Sequence, residues 1–138
     1  NFTKIVEFVE HHFVRDYAAN NNLTAAPEFV ASFKKAFGSE SLNGEKLDEL
    51  AEFAALQFAV DAHLYKTHGG RVVFDHSHPM LPIEAYFNAY KAYSEKQQLV
   101  FFDKEIANTW WLGFVRPNAV EIPAGDVDFS VPWWHKLG

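Results

Sequence analysis

The run from Glu45 to His68 contains no proline or glycine and is closed by Gly69-Gly70. That pattern reads as one long helix with a glycine stop. Its first half is amphipathic, with Leu47, Leu50, Ala51 and Ala54 opposed by acidic residues. Its middle, Ala54-Ala55-Leu56-Gln57-Phe58-Ala59-Val60, is apolar nearly all round. A helix of that kind is expected to pass through the centre of a fold, with the rest of the chain packed about it.

The chain on either side is patterned to do so. Phe2, Ile5, Val6, Val9, Phe13 and Tyr17 form one stripe of a helix over about 2–18, and Asn20-Asn21-Asn22 ends it. A shorter helix is expected near Pro27 to Phe37, with Pro27 in the first turn and Gly38 at the end. Ser39 to Gly44 is a turn. Another helix is expected over about 82–98, with Ile83, Tyr86, Phe87, Tyr90 and Tyr93 along one side.

The remaining segments look extended. Arg71 to Asp75 reads as a short strand centred on Val72, Val73 and Phe74. Leu99 to Phe102 suits a strand, and Asp103 to Asn108 fits either a helical turn or a hairpin loop. Thr109 to Arg116 is aromatic and extended-looking. Val120 to Ile122 and Val127 to Val131 read as strands about the Pro123-Ala124-Gly125-Asp126 turn, the second alternating apolar with Asp128 and Ser130. The expected fold is α+β: about four helices, mainly in the N-terminal two-thirds, packed on a small, mostly antiparallel sheet formed largely by the C-terminal third. With 138 residues and no repeat or linker, residues 1–138 are expected to form a single globular domain.

Composition excludes several chemistries. There is no cysteine, so disulfides, thiolate metal sites and cysteine nucleophiles are absent. The net charge of −6 disfavours broad binding to a phosphate backbone, so nucleic acid is an unlikely partner. No apolar run has the length of a membrane span. Cytoplasmic residence is weakly favoured, while the Asn1 start leaves room for a cleaved or secreted chain. No pattern fixes an oligomeric state.

Two groups of residues carry candidate chemistry. The first is acidic and aromatic. Glu45, Asp48, Glu49 and Glu52 share one helical stretch with a single base, Lys46, and form an acidic face suited to a basic protein partner; acids near a helix start also suit its dipole, with no partner needed. All four tryptophans fall in two pairs, Trp110-Trp111 and Trp133-Trp134. In an extended segment one member of each pair would enter the core and the other would face outward. The outer ones would offer an aromatic binding surface or would seal a sheet edge.

The second group is a set of histidines. Four of the seven lie between 63 and 78. On a helix Asp61 and His68 lie within about 40° of each other, while His63 points to nearly the opposite side, with Glu45, Glu49 and Glu52. Gly69-Gly70 turns the chain into a strand that ends at His76-Ser77-His78, where two imidazoles at i and i+2 face the same way. Asp61, His68, His76 and His78 are therefore the candidate ligands of a divalent metal such as zinc, with a water position left open for hydrolysis. Without a metal, His68, His76 and His78 are candidate acid and base groups for a transfer reaction. Asp75-His76-Ser77-His78-Pro79 equally makes an ordinary polar turn before a proline. No family-specific motif is present. The reading favoured by the sequence is a small acidic protein-binding domain of immunity, inhibitor or adaptor type. Its alternative is a small hydrolase or transferase with a histidine site near residues 61–78.

Overall fold

Local signals place five helices among the described residues, which in this computed structural model are 2–137. α1 runs over Phe2–Asn20, α2 over Pro27–Phe37, α3 over Gly44–His68, α4 over Ile83–Glu95 and α5 over Lys104–Leu112. Short 3-10 turns follow at Ala124–Asp126 and Trp133–Leu137. Pro27 opens α2, where its missing N–H costs no helical bond, and Lys34 and Lys35 lie in its last turn, where cations suit the dipole. Gly69 stops α3: its N–H donates to the Tyr65 carbonyl at 2.7 Å and its φ is +62°, a conformation that side chains with a Cβ resist. Along α3, no residue from Phe53 to Tyr65 is fully exposed. The apolar middle of the sequence is thus covered on all sides.

The chain divides into two compact units. One contains the chain up to Glu7 together with Leu64–Val127; the other contains Phe8–His63 together with Asp128 onward. In the second unit Phe13, Val14, Ala18, Leu47, Ala51, Ala55 and Val60 form the core, and the Trp133–Leu137 turn packs on α2. Trp134 is only 5% exposed there; its Nε1–H donates to the Phe29 carbonyl at 2.9 Å, and its ring meets Phe33 edge to face. In the first unit the core is Leu64, Val72, Val73, Ile83, Ala85, Tyr86, Ala89, Tyr90 and Trp110.

The expected sheet does not form, and the fold is helical rather than α+β. The described residues contain only two isolated antiparallel bridges, Val73↔Leu81 and Val73↔Glu121. The physical cause is clearest at α5. The Asp103 carboxylate accepts from the N–H groups of Glu105 (2.9 Å) and Ile106 (3.1 Å), which caps a helix that carries Trp110 and Trp111. The segment read as extended from Thr109 is therefore helical through Leu112. Val127 to Val131 alternates as a strand would but pairs with no neighbouring strand. Pro123 and Pro132 flank it, and each removes a backbone donor. Leu99 to Phe102 is irregular and ends in a fully solvated Phe102.

Candidate functional site

Glu45, Asp48, Glu49 and Glu52 stand at i, i+3, i+4 and i+7 of α3, so they share one face of that helix. Phe53 and Leu56 continue the stripe by another turn. Together with Arg15 of α1 and Leu23, Thr24 and Ala25 of the loop after it, they line a cleft of about 700 Å³ in the second unit. The cleft is acidic at one end and apolar at the other. Asp48 is paired with Lys34 at 2.6 Å, an exposed contact worth at most about 1 kcal/mol. Glu45, Glu49 and Glu52 are exposed, and none has an ion-pair partner among the described residues. The one cation in the lining, Arg15, holds its guanidinium 5.5 Å from the centre of the Phe53 ring. One turn earlier on the same face of α1, His11 sets its ring 4.1 Å from that of Phe53.

The tryptophans are divided by burial. Trp110 and Trp134 are core residues, 4% and 5% exposed. Trp111 is half-buried against Phe87, and Trp133 is 42% exposed beside Phe37. One member of each pair is thus buried, but on a helix and a 3-10 turn rather than on strands. Only Trp133 offers much aromatic surface to a partner.

The candidate histidines differ in their surroundings. His68 is the last residue of α3 and is exposed. His76 is exposed and rests edge to face on Phe74. His78 is half-buried against Tyr86, and its backbone N–H closes a turn on the Asp75 carbonyl at 3.0 Å. Asp61 is buried. Among the described residues no group of three or more His, Asp or Glu side chains lies close enough to hold a metal ion, so His68, His76 and His78 do not make one. What 75–79 does form is a polar turn. Asp75 Oδ1 accepts from the Ser77 N–H and hydroxyl, and Oδ2 accepts from Arg116 Nη1 at 2.8 Å. The Ser77 hydroxyl foremost, and then its N–H and Arg116, hold the Asp75 carboxyl below the ordinary aspartate range, against an opposing effect of burial.

Three polar pairings had no signal in the sequence. Tyr17 Oη and His63 Nδ1 are 2.7 Å apart, joining α1 to α3 across 46 residues. His135 Nδ1 lies 3.0 Å from Ser32 Oγ, whose hydroxyl donates to the Phe29 carbonyl. Arg71 donates through Nε to Glu121 and through its two terminal nitrogens to the carbonyls of Val115 and Arg116. The face of His63 is legible from helix geometry, but each partner is brought in by tertiary packing.

None of the known protein families, curated proteins or solved structures compared with the chain matches it. No helix among the described residues is long and apolar enough to cross a membrane.

Proposed function

We propose that this chain is a protein-binding domain, of the kind found among immunity, inhibitor and adaptor proteins, and that the α3 cleft receives a basic segment of the partner. One observation carries the reading: three unpaired carboxylates, Glu45, Glu49 and Glu52, lead along a single helix face into Phe53 and Leu56 within one cleft. Such a surface offers charge for orientation and an apolar end for affinity. Interfaces commonly divide those tasks in this way. Trp110 and Trp134 take no part, because both lie in the core.

The test is co-purification from native extract with the full chain as bait, beside a Glu49→Lys/Glu52→Lys bait of the same fold by circular dichroism. The reading expects a protein retained by the first bait and lost from the second, and the same difference when that protein is purified and recombined with each. Equal retention by both baits, or no specific retention by the unaltered chain, rejects it.

A further inference from the structure

The two bridges of the first unit share Val73, and this leaves one extended edge open. Val73 exchanges both of its backbone bonds with Leu81, N–H to carbonyl in each direction at 2.9 Å. On its other side Phe74 N–H donates to the Val120 carbonyl at 2.8 Å, and Ile122 N–H donates to the Val72 carbonyl at 2.9 Å. That is the non-hydrogen-bonded antiparallel pairing, in which the central residue of the outer segment turns its own N–H and C=O away from its partner. The outer residue is Glu121. Its N–H and C=O take part in no hydrogen bond among the described residues, and its side chain is 64% exposed.

The segment is held in this attitude. Arg71 binds the Glu121 carboxylate at 2.7 Å and the carbonyls of Val115 and Arg116; Arg116 in turn binds Asp75. Beside the open backbone pair, Val120 and Phe74 are neighbours across the bridge and are 68% and 44% exposed. A preset extended backbone with a free donor and acceptor, next to an apolar shelf, is what an added β-strand requires.

We infer that residues Val120 to Ile122 bind an extended peptide segment of a partner protein by strand addition, with Glu121 forming the hydrogen-bonded pair. The bound peptide places an apolar side chain against Val120 and Phe74 and a basic or neutral one opposite Glu121. A second copy of this chain is a poorer occupant, because two-fold pairing about Glu121 would set two carboxylates directly opposite each other, each with Arg71 alone to offset the repulsion. The surface shares no residue with the α3 cleft and does not depend on that proposal.

The probe is a phage-displayed library of random eight-residue peptides, selected on the immobilised full chain, with the enriched peptides then synthesised. They are expected to alternate apolar residues about a central Lys, Arg or neutral residue. In the unaltered chain they should slow hydrogen exchange at the Glu121 amide. Of the backbone groups Glu121→Pro removes only the outward donor, leaving the Val120 carbonyl and Ile122 N–H in place, and it also removes the carboxylate held by Arg71. It should weaken binding about tenfold relative to Glu121→Gln, which controls for the carboxylate. The inference is overturned if no peptide enriches over an unrelated protein, or if enriched peptides leave exchange at Glu121 unchanged. It also fails if the amide is already protected in a dimer that forms without peptide. The exchange measurement uses the unaltered chain, so the answer stands even if Glu121→Pro does not fold.

Discussion

Asp75 accepts three hydrogen bonds, two from Ser77 and one from Arg116, and its carboxyl is more acidic for it. A carboxyl whose folded pKa lies below its unfolded value stabilises the fold fully above the unfolded value. That contribution disappears as pH falls through the folded one. The unfolded reference is the ordinary aspartate value of 3.8. Urea unfolding of the wild type and Asp75→Asn should therefore show a constant difference above about pH 5, shrinking as the pH drops below the ordinary aspartate value. A gap that stays constant down to pH 2 would show that Asp75 gains nothing from these partners. At this scale the sequence was informative about type and not about contact. His76-Ser77-His78 was legible as either a ligand pair or a turn. The structure forms the turn, because Ser77 is bonded to Asp75 and His78 closes back on the Asp75 carbonyl.

α1 to α4 were legible from apolar spacing, helped by Pro27, Gly38, Gly69 and Pro82, since glycine and proline act locally and need no tertiary partner. α5 was not. Its Trp, Thr and Phe neighbours favour strands by propensity, whereas a single cap, Asp103, tips the balance toward the helix. Asp103→Ala should cost about 1 kcal/mol of stability in urea unfolding, and Asp103→Ser should restore most of it. The α3 stop carries a second prediction. Gly70 has φ +86°, and a Cβ there would run into the Glu84 side chain. Gly70→Ala should destabilise the chain by about 1–3 kcal/mol. In Gly70→Ala/Glu84→Ala the carboxylate end of the collision is removed, while the close approach to the residue-84 Cβ and the backbone strain stay, so calorimetry should find only part of the loss recovered. Full recovery would mean that neither the left-handed backbone nor the remaining Cβ contact costs anything.

For the whole molecule, the charge of −6 and the unpaired carboxylates of α3 predict how a partner associates. Raising salt from about 50 to about 500 mM should slow association with a protein captured through the cleft by tenfold or more and change dissociation much less. Interferometry on the purified pair reads both rates, and a salt-independent association rate would remove the acidic face from the proposal. Helices α1 to α4, the acidic stripe of α3 and the exclusion of cysteine chemistry follow from residue order alone, because spacing, composition and stop residues need no tertiary partner. Whether the apolar segments after Arg71 became a sheet was decided only in three dimensions. A strand needs a partner at the right register, and here Val73 found single-residue bridges while Asp103 drew the next segment into a helix. The same holds for the sites. Nothing in the order of residues separates a histidine that meets two others from one that meets a tyrosine, nor shows that Glu121 would be left with its backbone bonds unmade.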